Sequence, residues 1–147
     1  MKPRPGDVFS YQGKDFVVEG VLNYKLGGKI YPLARAADGD EVRFIEPLMD
    51  DADDRLLFFR EVTDLRVGSP PPATISYKGG SYVPKLSGPA TVTIDGAVDG
   101  RSAGPCEIWR YRAGGDVYLQ IEKWPSRTVT LHGESVHKDM VTFFPAP

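Results

Sequence analysis

The chain has 147 residues, 41% of them hydrophobic and 26% charged, with a formal net charge of −2. That length suits one domain and can bury enough surface to fold without a metal or disulfide. The balance of 18 basic against 20 acidic side chains supplies no overall field for DNA, RNA or an anionic membrane.

Cys106 is the single cysteine, which rules out an intramolecular disulfide and favours a reducing compartment. The first residues lead straight into strand-like sequence, and no apolar run approaches the roughly 20 residues of a membrane helix. A cytoplasmic protein without membrane insertion is the expectation.

Along the chain, short runs rich in Val, Ile, Tyr, Phe and Thr are bounded by Gly, Pro or Asp, the pattern of strands. It predicts strands at 7–11, 15–24, 29–37, 41–46, 56–62, 73–77, 81–86, 90–95, 106–112, 116–123, 127–132 and 140–144. Tyr11-Gln12-Gly13-Lys14, Ala37-Asp38-Gly39-Asp40, Tyr77-Lys78-Gly79-Gly80 and Ala113-Gly114-Gly115-Asp116 read as hairpin turns, where glycine supplies positive φ. Segment 47–54 reads as a loop whose Asp50, Asp51, Asp53 and Asp54 lack the spacing of a calcium loop. Little helix is expected anywhere.

Residues 67–72, ending in Pro70-Pro71-Pro72, read as a joint between halves 1–66 and 73–147. The halves resemble each other. Ser10–Val17 aligns with Ser76–Val83 at an offset of 66, Gly39–Glu46 with Gly115–Glu122 at 76, and Phe58-Phe59 with Phe143-Phe144 at 85. An internal duplication explains this order of matches, although hairpin turns also converge on such sequences. The predicted fold is one all-β domain of two pseudo-repeated antiparallel halves packed together, as twin small barrels or a sandwich.

Gly6-Asp7-Val8-Phe9-Ser10-Tyr11-Gln12-Gly13 with Phe16-Val17-Val18-Glu19-Gly20 resembles the opening of the bacterial domain-of-unknown-function family 4178. Ile75–Tyr82, Ser87–Thr93, Tyr118–Trp124 and Gly133–Val136 resemble the family's later blocks, so the likeness spans nearly the whole chain. It implies an accessory or scaffold role beside membrane-stress and envelope-associated systems, and assigns no catalytic residue.

Several constellations of side chains carry chemistry. Trp109, Tyr111 and Trp124 lie in one aromatic-rich region, and aromatic rings on an exposed sheet face stack on sugars or peptides. Trp109 and Tyr111 share strand parity, so either that face or the one carrying Cys106, Ile108 and Arg110 is the core face. Glu46 and Glu122 hold equivalent places in the repeat and form a candidate acid–base pair. His132 and His137 flank Glu134 in a zinc-like composition, but five residues apart on a strand they face opposite sides. Cys106 with a histidine is a conceivable nucleophile pair, against the simpler reading of a packed small side chain. No phosphate-binding loop, nucleophile elbow or paired-cysteine motif is present, so no metal and no cofactor is expected. The leading expectation is a non-enzymatic binding or scaffold domain with a protein partner or a second copy of itself. The alternatives are a hydrolase using Glu46 and Glu122 between the halves, or a small-ligand or carbohydrate module built on exposed tryptophans.

Overall fold

The computed structural model describes residues 2–48 and 54–147. Most of the acidic run expected as a loop, Asp50, Asp51 and Asp53 included, lies outside the described residues. The described chain is almost entirely extended. Its strands are β1 (Val8–Tyr11), β2 (Lys14–Leu26), β3 (Lys29–Asp38), β4 (Glu41–Leu48), β5 (Arg55–Glu61), β6 (Ile75–Tyr77), β7 (Gly80–Gly96), β8 (Gly104–Arg112), β9 (Val117–Lys123), β10 (Thr128–His137) and β11 (Thr142–Phe144). One short 3₁₀ turn, Lys138–Met140, precedes β11.

Eight of these strands close into one antiparallel barrel in the order β2-β3-β4-β5-β10-β9-β8-β7, with β7 returning to β2. The expectation of twin small barrels or a sandwich gives way to this single barrel. The reason is two seams between the segments: β5 pairs with β10, and β2 pairs with β7. Neither segment closes on itself. Each supplies four barrel strands, and closure removes the free sheet edges that separate half-sheets would expose.

The connectivity of β1–β5 is met again in β6–β10. A short strand makes a hairpin with a long one, which leads into three further antiparallel strands. The first turns match closely: Gln12 and Gly13 have φ of 51° and 75°, and Lys78 and Gly79 have 46° and 79°. Both long strands then slip register, between Val18 and Gly20 in β2 and between Pro84 and Leu86 in β7. Phe58-Phe59 and Phe143-Phe144 do not follow this scheme, since the former lie in a barrel strand and the latter in β11, which pairs with β1 outside the barrel.

The slip in β2 transfers one apolar set between faces, as a β-bulge must. Phe16 and Val18 before it and Val21 after it all join one outer cluster, while Leu22, Tyr24 and Leu26 fill the lumen. β7 behaves alike: Tyr82 lies outside, Ala90 and Val92 inside. Two outer clusters flank the barrel. One centres on Phe9, Phe16, Ile45 and Phe58 beneath β1 and β11. The other centres on Ile75, Tyr77, Tyr111 and Leu119, capped by Val62, Leu65 and Val67. The predicted strands 81–86 and 90–95 are one strand, because Ser87-Gly88-Pro89 continues the ladder with β8.

The seams are tight. A Cβ on Gly133 would lie 2.0 Å from the carbonyl oxygen of Phe58, and one on Gly20 would lie 2.3 Å from that of Ala97. Gly133→Ala is therefore expected to destabilise the fold by about 3 kcal/mol, near the upper end of overpacking costs. Gly114→Ala, with nothing within 4 Å of the added carbon, should leave the urea midpoint nearly unchanged. Equal midpoints for the two variants would contradict the seam geometry.

Candidate functional site

Polar side chains run through the lumen as a connected chain. On β8, alternation that directs Cys106 and Ile108 inward directs Arg110 inward too. Its guanidinium makes two parallel bonds to Glu46 of β4, Nη1 to Oε2 at 2.9 Å and Nη2 to Oε1 at 2.7 Å. Three strands separate β4 from β8 around the barrel, so this pair spans the lumen. Arg110 also donates through Nε to Gln120 Oε1 at 2.9 Å, and the Gln120 amide donates to Glu122 Oε2 at 2.6 Å.

Glu122 is the most enclosed charge, with 0% of its surface exposed. Besides Gln120 it accepts from the Tyr24 hydroxyl at 2.9 Å, the Trp124 indole at 3.0 Å and Arg101 Nη1 at 3.2 Å. Arg101 comes from the loop between β7 and β8. It bonds Asp99 on the same loop through Nε at 2.8 Å and Nη2 at 2.9 Å. Asp99 also faces Arg127 at 3.5 Å, which in turn reaches Glu61 at 3.7 Å. Carboxylate and guanidinium alternate along this whole line, so each buried charge has a partner.

The titration behaviour follows. Burial and the neighbouring Glu122 carboxylate push the Tyr24 hydroxyl well up, so it donates as a neutral phenol. Burial works against the charge on Arg110, but Glu46 more than offsets it and the group stays cationic. Burial would raise the Asp99 carboxyl, yet the bonds from Arg101 hold it below its ordinary range. Burial, then Glu122, pushes the Cys106 thiol well up, which keeps it out of the reactive thiolate form.

Two adjoining cavities open at the end of the barrel where Arg101 enters. One of about 390 Å³ lies between residues 99–105 and 124–127. The other, of about 520 Å³, is a groove walled by Trp109, Trp124, Pro70, Pro89, Pro105 and Lys123. Volumes of this size fall in the range of ligand sites.

The residues singled out from sequence fall in different places. Glu46 and Glu122 are both inside the barrel, joined through Arg110 and Gln120. Trp124 is buried with its indole on Glu122, while Trp109 is half-buried on the outer side of β8 and reaches the groove. Tyr111 is 2% exposed, in the outer cluster, and donates to the Pro72 carbonyl at 2.7 Å. His132 sits on the outer face, its Nε2 3.0 Å from the Tyr82 hydroxyl and its ring edge-on to Tyr77. His137 instead caps the 3₁₀ turn by accepting from the Asp139 amide. Among the described residues no group of three or more His, Cys, Asp or Glu is placed to hold a metal, and no helix is long and apolar enough to cross a membrane.

Arg110, Gln120, Arg101 and Tyr24 were not foreseen. A signal was present for the first two: Arg110 shares parity with Cys106 and Ile108, and Gln120 and Glu122 share it with Tyr118. Polar residues regularly placed on the inward face of apolar strands mark a lumen network.

The family model described as domain of unknown function (DUF4178) matches residues 4–138. The chain belongs to this family. No curated protein and no solved structure matches this chain. In this chain the lumen network and the adjoining barrel end hold the buried charges and the cavities.

Removing one member of the Arg110–Glu46 pair leaves the other as an unpaired buried charge. Glu46→Gln is expected to cost about 3–5 kcal/mol. The double variant Glu46→Leu with Arg110→Met should cost less than Glu46→Gln alone, and a double variant that is worse would show the pair to be net stabilising. A second expectation concerns His132, whose pKa is held below the ordinary 6.5 by burial and then by Lys78 and Arg60. The unfolded chain takes up this proton first, so stability is complete above the ordinary value and falls as pH drops through about 6.5. Urea titrations across that window should show the loss, and His132→Gln should flatten it.

Proposed function

We propose that this DUF4178 chain is a non-enzymatic binding domain whose contact site is the groove at the end of the barrel. The observation that carries the reading is the contrast between lumen and end. Every charged group in the lumen is bound to another, and Glu46 and Glu122 are 2% and 0% exposed. A hydrolytic acid–base pair must reach its substrate, which these sealed carboxylates do not. The groove, by contrast, offers the half-buried Trp109 ring between prolines, with Glu107 and Lys123 paired across β8 and β9 at its margin. Rigid aromatic and proline walls with a charged margin suit an extended protein segment.

The two units, 1–66 and 73–147, are read as copies of one ancestral unit. The turn residues Gln12 and Lys78 and the bulged residues Glu19 and Lys85 support this, both pairs being 66 residues apart. A reducing, cytoplasmic setting accords with the lone buried Cys106. An accessory role beside bacterial envelope-stress systems rests on the family resemblance alone.

The test is site-directed photo-crosslinking in the native host. A benzophenone side chain at position 107, beside the groove, is expected to trap a defined protein partner. One at position 30, where Ile30 is 60% exposed on the β2–β3 hairpin, is not. Trp109→Ala should reduce the adduct at least about tenfold, the loss of one aromatic anchor. Adducts indifferent to Trp109, or equal at both positions, would sink the reading.

A further inference from the structure

The loop that carries Arg101 is unlike its counterpart. β2 and β3 are joined by Gly27-Gly28 alone, whereas β7 and β8 are joined by residues 97–103. The longer loop turns back into the barrel. Its Arg101 side chain is 4% exposed, with the guanidinium 5.2 Å from the centre of the Phe44 ring and 5.6 Å from that of Trp124. Glu122 faces the same guanidinium from inside. Two aromatic rings and a carboxylate around one planar cation make a receptor for a guanidinium group.

We infer that this cage is a binding site for an arginine side chain of a partner protein, and that Arg101 occupies it as an internal competitor. The inference rests on the reading of the chain as a binding domain. Three features make the occupant exchangeable. Arg101 holds the cage through one bond of 3.2 Å, while its two-pronged pairing is with Asp99 of its own loop. The Asp99–Arg101 ion pair can therefore move as one unit, giving up the 3.5 Å contact of Asp99 with Arg127 and the contact with Glu122, which an incoming guanidinium restores. Glu122 keeps the Tyr24, Gln120 and Trp124 donors after Arg101 leaves, so the empty cage is negative but not stripped of hydrogen bonds. The 390 Å³ cavity bordered by residues 99–105 lies against the loop on the open side, and Gly100 has nothing within 4 Å of its missing Cβ.

The experiment uses the full chain and two small probes, Nα-acetyl-arginine amide and Nα-acetyl-lysine amide, followed through the Trp124 indole N–H resonance. Folded Arg101→Ala should bind the arginine probe with one-site saturation, at least about tenfold more tightly than the lysine probe, because a planar cation fills the slot between the rings. The unaltered protein should show the same shift at about tenfold or more weaker affinity, since its own arginine must leave first. Equal binding of the two probes, or no saturable shift in folded Arg101→Ala, overturns the inference. Arg101→Met serves if the alanine variant does not fold; if neither folds, Arg101 is a fixed part of the core and the inference also fails. Loss of this binding with Trp109-dependent crosslinking intact would remove the cage alone and leave the groove reading standing.

Discussion

The structure turns on a carboxylate that water cannot reach. Glu122 lies within a closed barrel, and an isolated charge there would cost many kcal/mol to desolvate. Four side chains remove that cost by pointing donors at it: Gln120 and Trp124 from either side of it in sequence, and Tyr24 and Arg101 from elsewhere in the chain. Because Tyr24 belongs to β2 and Glu122 to β9, satisfying this one group fixes the relative placement of two walls that are not neighbours. Arg110 does the same between β4 and β8. Apolar packing around Leu33, Phe59 and Leu131 supplies the bulk of the burial, but it does not choose among similar registers. The polar line does, since a slip of one residue would turn Arg110 or Glu122 onto the outer, apolar face.

The repeated connectivity shows why Arg101 matters. Register places Arg35 opposite Phe44, two residues before Glu46, and Arg110 opposite Gln120, two residues before Glu122. Arg110 crosses the lumen to the glutamate of the other unit. Arg35, its positional counterpart, instead pairs with Glu19, and its Nε is buried without a hydrogen-bond partner. Glu122 is met instead by Arg101, from the loop of residues 97–103, whereas β2 and β3 are joined by Gly27-Gly28 alone. The place where the two connectivities differ thus coincides with the charge at the barrel end.

Much of the fold was legible in the sequence. Glycine-centred turns at Gln12-Gly13, Gly39, Lys78-Gly79 and Gly115 mark hairpins because the backbone there needs positive φ. What could not be read was closure. Whether two sets of strands form one barrel or two depends on the β2·β7 and β5·β10 seams, which join residues 66 to 82 apart and have no local signature. The bulges have no local signature either. Those at Glu19 and Lys85 exchange the faces mid-strand, so residues that alternate in sequence gather on one side in space. Glu46 and Glu122 stood out in the sequence as two carboxylates on strands, and both lie inside the barrel. Their partners did not stand out, because Arg110 and Arg101 reach them across the lumen and from a loop, distances that alternation along a strand does not encode.

A filled lumen narrows what such a barrel can do. Side chains occupy the interior, so a ligand gains entry only by replacing something already there or by staying at the rim. Along most of the network replacement is prohibitive, since Glu46 and Arg110 would each be left bare by the other's departure. The barrel end differs because Asp99 shares a loop with Arg101 and moves with it, while Glu122 retains the neutral donors Tyr24, Gln120 and Trp124. One guanidinium can therefore be exchanged there for another of the same charge. Trp124 links that terminus to the outer groove, lining both cavities while its indole holds Glu122. A partner lying in the groove against Trp109 has, through Trp124, a direct route of contact to the most buried charge in the molecule.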